Sequence, residues 1–159
     1  MRDISTLGAS VTITGAGLSI TDITDFSDDG TPIQVSDLEV AGSGMNINGE
    51  MVTWAKANPV EVSLSLIPGS DSDNKITNFL RAISPGGSMG KVSTNAYISS
   101  MVISTPTVTQ TELQSTRPHT TYTFTNGRML RGTPGLSSDA DGRMISKTYT
   151  FVFEKVTSS

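Results

Sequence analysis

The sequence predicts a mainly β protein: an antiparallel β-sandwich or barrel-like domain with one flanking α-helix and a projecting β-hairpin arm. Three observations carry this expectation. Ser and Thr number 22 each in a chain of 159 residues, beside 15 Gly and 7 Pro, a mixture of small β-tolerant polar residues and turn formers. Apolar residues along most of the chain recur at period two, the spacing of a strand with one buried face. Only one stretch, residues 76–83, has its apolar residues at helical spacing. The length suits a single domain over residues 1–159, with a core large enough to need no disulfide or metal staple.

The elements follow in chain order. Val11-Thr12-Ile13-Thr14 alternates, Gly15-Ala16-Gly17 breaks it, and Leu18-Ser19-Ile20-Thr21 resumes it, so a hairpin is expected. Asp28-Asp29-Gly30 reads as a surface turn. Ile33, Val35, Leu38 and Val40 form the next strand, with a bulge where Ser36-Asp37 doubles the polar step. Residues 41–58 hold Asn48-Gly49, a hairpin signal, between Met45/Ile47 and Met51/Val52/Trp54. An isolated hairpin has little core of its own. Its apolar residues therefore either fold back on the sheet or are buried against another molecule.

Pro59 and Pro68 bracket the clearest strand, with Val60, Val62, Leu64 and Leu66 facing inward and Glu61, Ser63 and Ser65 outward. Residues 69–73 then offer N-caps and acids for a helix start. Ile76, Phe79, Leu80 and Ile83 fall at i, i+3, i+4 and i+7, a stripe that packs the helix onto the sheet; Ser84-Pro85-Gly86-Gly87 stops it. Residues 97–104 read as a buried strand and 107–113 as a Thr-rich strand near an edge. Thr121 to Phe124 alternates into Asn126-Gly127, a second hairpin signal, and returns through Met129 and Leu130. Residues 132–142 read as a loop. The last strand places Ile145, Lys147, Tyr149, Phe151 and Phe153 on one face, and Ser146, Thr148, Thr150, Val152 and Glu154 on the other.

Composition also excludes functions. With no cysteine, disulfide scaffolds, thiolate metal sites and Cys nucleophiles are out. No apolar run reaches the 18 or so residues of a membrane helix, so no membrane partner is expected. The first eight residues lack the apolar core of a signal peptide, which predicts a soluble protein that starts out in the cytoplasm of the cell making it. The net charge of −4 argues against a nucleic-acid clamp. The charge is unevenly spread: residues 1–80 carry 11 acids and 3 bases, residues 81–159 carry 4 acids and 8 bases. Such a split is either blurred by a β topology that interleaves the halves or marks a subunit with complementary faces that associates head to tail.

No enzyme and no cofactor are expected. The sole histidine, His119, has no G-x-S-x-G elbow beside it and no second histidine for a metal. Asp139-Ala140-Asp141-Gly142 opens like a calcium loop but continues into Arg143, Met144 and Ile145 without the further acidic ligands, so a cation there is not expected. Asp71-Ser72-Asp73 reads as helix capping. No phosphate-binding loop occurs. Arg128, Arg131 and Arg143 read as a solvated rim.

The arm at residues 45–54, the alternating strand at 59–68, the helix at 71–83 and the closing strand at 145–155 together resemble a phage tail tube protein of the contractile type. The Hcp-like tubes of secretion systems share that architecture. The resemblance implies a structural virion protein of the bacteriophage tail, assembled in the host cytoplasm into hexameric rings that stack around a hollow bore for DNA ejection. It implies Met45, Ile47, Met51, Val52 and Trp54 as ring-to-ring contacts. It implies the faces of Glu61, Ser63 and Ser65, and of Thr148 and Thr150, as bore lining. Copies of the chain itself, sheath, tape-measure and baseplate or terminator proteins become the expected partners, with DNA as non-specific cargo. Six copies at −4 each would repel a polyanion from the wall, but Lys147 would weaken this if it faced the bore. Two other readings stand beside it: a carbohydrate-binding or adhesion module using Trp54, Tyr97 and Tyr122, and a baseplate or tail-completion protein of related fold.

Overall fold

The computed structural model describes residues 9–15, 17–28, 31–87, 96–105, 108–110, 115–117, 120–133, 138 and 140–158. Its strands are β1 (Ser10–Gly15), β2 (Leu18–Ile23), β3 (Ile33–Val35), β4 (Ala41–Met45), β5 (Met51–Ala55), β6 (Val60–Leu66), β7 (Ile98–Thr105), β8 (Val108–Gln110), β9 (Ser115–Arg117), β10 (Thr120–Gly132) and β11 (Lys147–Ser158); helix α1 spans Asp71–Ala82. Seven strands form one antiparallel sheet in the order β2-β1-β7-β10-β11-β6-β3, while β4-β5 and β8-β9 are separate two-stranded hairpins. The sheet is not a closed barrel: among the described residues β2 and β3 have no strand on their outer sides.

Period-two alternation turns one face of this sheet into the core. Val11 and Ile13 of β1, Val60, Val62, Leu64 and Leu66 of β6, and Tyr149, Phe151 and Phe153 of β11 are all buried in one cluster. Phe124 of β10 joins them, its ring centroid 5.5 Å from that of Phe153. Helix α1 lies over this face, and the predicted stripe Ile76, Phe79, Leu80 and Ile83 is buried at 5% exposure or less. Ser70 caps its start by accepting a hydrogen bond from the Asp73 N–H, satisfying one of the donors a helix end leaves open.

Four expectations change. Asn126-Gly127 does not turn the chain; it lies inside β10, which runs 13 residues. Across this stretch β10 has a partner on each side, with Thr125 opposite both Ser100 and Lys155 and Gly127 opposite both Ile98 and Phe153. Two ladders outweigh one local turn preference. Asn126 keeps a left-handed φ of 56°, so the dipeptide makes a kink that brings both Phe124 and Gly127 to the core side. The strand from Ile33 ends at Val35 with no bulge: Ser36 closes it, its N–H donating to Glu61 O and its hydroxyl accepting from the Glu61 N–H. Leu38 and Val40 beyond it are exposed. Of the segment 107–113 only residues 108–110 are described, and they form β8, paired with β9 outside the main sheet. The closing strand starts at Lys147 rather than Ile145, which is exposed.

Candidate assembly surfaces

The arm is β4-β5 and the turn between them. Asn46 Oδ1 accepts the N–H groups of Asn48 and Glu50, at 3.0 and 2.9 Å, and Gly49 takes the left-handed φ of 81° that closes the turn. Trp54 lies across Gly42: a Cβ there would sit 2.4 Å from the indole. Glycine at 42 is therefore the seat of the arm's one large side chain. At the root, Lys56 Nζ reaches Glu39 Oε1 at 2.7 Å and Asn58 donates to the Glu39 carbonyl. Met45, Ile47, Met51, Val52 and Trp54 are 67%, 102%, 69%, 51% and 51% exposed. Among the described residues, β4 and β5 pack broadly only on each other, and the exposure of these five side chains does not fit an arm laid back on its own sheet.

The helix start is tied down at two points, neither visible as more than capping in the sequence. Asp73 is buried, and its Oδ1 accepts the Tyr149 hydroxyl at 2.7 Å. Its Oδ2 accepts the Gly69 N–H and faces Lys147 Nζ, each at 3.1 Å. Burial, with the neighbouring carboxylate, pushes the Tyr149 hydroxyl well above the ordinary tyrosine range, against a smaller opposing effect of the Thr77 hydrogen bond. Ser72 forms the second tie: its hydroxyl receives the N–H groups of Thr24 and Asp25 and donates to Asp25 Oδ2. The same geometry places Lys147 on the helix side of the sheet.

The opposite face of the sheet is a Ser/Thr surface. Ser10, Thr12 and Thr14 stand opposite Ser104, Val102 and Ser100, which in turn stand opposite Thr121, Thr123 and Thr125. Ser63 and Ser65 hydrogen-bond across to Thr150 and Thr148, at 3.2 and 3.1 Å. Of the five bore-lining candidates, Thr148 is exposed, Glu61 and Ser63 half-buried, and Ser65 and Thr150 buried. Ser65 is hemmed in by backbone bonds to Ser27 and Pro32. Besides Thr148, the Ser and Thr of this face that stay half-buried or exposed include those on β1, β7 and β10. Register adds Arg128, opposite Val152, Arg131, opposite Thr150, and Lys155, opposite Thr125, to the same face as Glu61, and Glu154 follows Val152 on it. The described residues of the face thus set three cations beside two carboxylates, contrary to the acidic wall expected from net charge.

Exposed aromatics do not gather on one face. Trp54 is on the arm, while Tyr97 and Tyr122 stand at opposite ends of β7. Asp28 pairs with Arg143 on the surface. Among the described residues no group of three His, Cys, Asp or Glu is placed to hold a metal, and no helix is long and apolar enough to cross a membrane. His119 and Asp139 lie outside the described residues.

A family model described as tail fiber protein gp32 matches residues 2–157. The chain belongs to that family. No curated protein matches it in sequence. Among solved structures, the anti-feeding prophage tube-terminating cap aligns with 100% of this chain and 92% of its own at TM-score 0.59 and 16% identity. A chain of the anti-feeding prophage baseplate aligns with 100% and 96% at 0.55 and 14%. A chain of the extended sheath-tube complex of an extracellular contractile injection system aligns with 99% and 91% at 0.51 and 13%. At such identities the likeness is one of fold. By family the chain is a tail protein, and its fold is shared with cap, baseplate and sheath-tube chains of contractile systems, in line with the resemblance in its sequence.

Proposed function

We propose that this chain is a ring subunit of a phage tail tube. Copies assemble into stacked hexameric rings around a bore that conducts DNA during ejection. The single observation that carries the reading is the arm: five apolar side chains held half or more exposed on a hairpin that, among the described residues, packs broadly on no other element. A large exposed apolar patch is a docking surface by default. Two open sheet edges add a second unmet demand, since unpaired strands are templates for pairing that closure into a ring removes.

The Ser/Thr face supplies a wall that does not grip cargo. Gripping DNA takes a dense run of Lys or Arg to displace counterions, and the described residues of this face set only three cations, Arg128, Arg131 and Lys155, against the carboxylates Glu61 and Glu154. Lys147, the cation that threatened the argument from sequence, is engaged with Asp73 on the other side. Sheath, tape-measure and baseplate or terminator proteins are the partners that such a tube requires, in the tail of the virion. A baseplate or tube-completing ring of the same fold is the second reading, favoured by the same arm. The two differ in propagation: a tube subunit stacks without limit, a completing ring stops. The carbohydrate-binding alternative lacks a shared aromatic platform.

Sedimentation velocity of the wild type against Met51→Ser/Trp54→Ala tests the reading. The wild type sediments as large species whose size grows with concentration; the variant stays monomeric with an unchanged melting temperature. A wild type that stays monomeric at every concentration overturns it.

A further inference from the structure

We infer that the thioether pair Met45 and Met51, at the end of the arm, is a modification site: a peroxide-class oxidant converts both to sulfoxides in the free subunit and thereby shuts it out of assembly. The inference rests on the tube-subunit reading and adds a chemical control over it. Met45 and Met51 stand opposite each other in the last pair of the β4-β5 ladder before the turn, so both side chains leave the same face of the hairpin. They are 67% and 69% exposed. Val52 and Trp54 leave on the other face, opposite Gly44 and Gly42. The other described methionines sit differently. Met101 is fully buried and Met129 packs against the core, which leaves Met144, 50% exposed and three residues before β11, as the remaining described sulfur open to solvent.

The reaction needs access to the sulfur and no unfolding. An oxygen passes from the peroxide to a sulfur lone pair as the O–O bond breaks; the thioether is oxidised to the sulfoxide, and hydrogen peroxide is reduced and leaves as water. A flexible apolar side chain thereby becomes a polar one. Two such groups side by side set sulfoxide oxygens on one whole face of the arm's end, and covering a polar group that finds no hydrogen bond is costly. The subunit itself is spared. Among the described residues the hairpin packs broadly only on itself, so the oxidised pair disturbs no part of the core. The change is reversible, since sulfoxides are returned to thioethers by two reductases, one for each epimer.

The absence of cysteine leaves methionine as the main target of hydrogen peroxide and makes the test clean. Dilute wild-type protein is treated with graded hydrogen peroxide, oxidation at each methionine is read by peptide mass spectrometry, and assembly is read by sedimentation velocity after concentration. Met45 and Met51 are expected to gain one oxygen each at doses that leave Met101 unchanged, with the melting temperature held. Assembly is expected to be lost in proportion to the doubly oxidised fraction and to return after treatment with both sulfoxide reductases. Met45→Leu/Met51→Leu keeps the apolar bulk without the sulfurs and is expected to assemble before and after peroxide. Met144→Leu keeps the pair and is expected to lose assembly on peroxide as the wild type does. Oxidised wild type that assembles like the untreated protein overturns the inference and leaves the tube reading standing. A Met144→Leu variant that resists peroxide, or a double variant that peroxide disables like the wild type, places the sensitive group elsewhere and also overturns it. Untreated wild type that never assembles overturns both.

Discussion

Asp73 carries more of the architecture than its position in an acidic helix start suggests. It receives a backbone N–H before the helix, a tyrosine hydroxyl and a lysine from β11, and so fixes where the helix sits on the sheet. Removing one partner of a buried pair strands the other. Asp73→Asn is expected to cost about 3 kcal/mol in urea denaturation, with Tyr149→Phe costing about 1–2 kcal/mol through one lost hydrogen bond. The raised Tyr149 hydroxyl gives this network a pH signature. Below about pH 10 the tyrosine is protonated in both folded and unfolded chains, and stability does not depend on it. Above that, only the unfolded chain ionises readily, so stability falls as pH rises. Denaturation midpoints between about pH 8 and 11 check this: the alkaline decline should be shallower in Tyr149→Phe. An identical decline would remove Tyr149 from the account. The capping role of residues 70–73 was legible in the sequence. The ties to β11 and Asp25 were not, because they join residues 47 to 76 positions apart.

At the scale of elements, what could be read locally was read correctly. The helix stripe and the arm turn each depend on residues within one short window, and both formed as the window predicts. Residues 60–66 alternate strictly because a single face is buried, and their strand also formed. β10 failed the same treatment, since the fate of Asn126-Gly127 is decided by β7 and β11 on either side. Gly127 shows how tight that packing is: a Cβ there would lie 2.1 Å from the Val152 carbonyl oxygen. Gly127→Ala is therefore expected to lose about 1–3 kcal/mol by overpacking, read as a lower melting temperature. A melting temperature equal to the wild type would mean that β10 turns away from β11 at this point, as the local signal alone suggested. The arm behaves oppositely. It contributes little to the stability of the subunit, because its apolar side chains stay half or more exposed.

For the whole molecule, strand order was out of reach of the sequence: β1 pairs with β7 and β6 with β11, partners separated by more than 80 residues. The β-rich class, the lone helix and the projecting arm were all visible without that order, and they were enough to carry the family resemblance. Net charge proved a poor guide to any one surface. The acid-rich early half and base-rich late half interleave in a single sheet, leaving one face with charges of both signs among its Ser and Thr. The central claim is that the chain finishes its burial and its sheet pairing in contact with copies of itself. Negative-stain electron microscopy of the concentrated protein tests that most directly. Stacked rings enclosing an open bore are the predicted result; a field of separate compact particles at every concentration would contradict it.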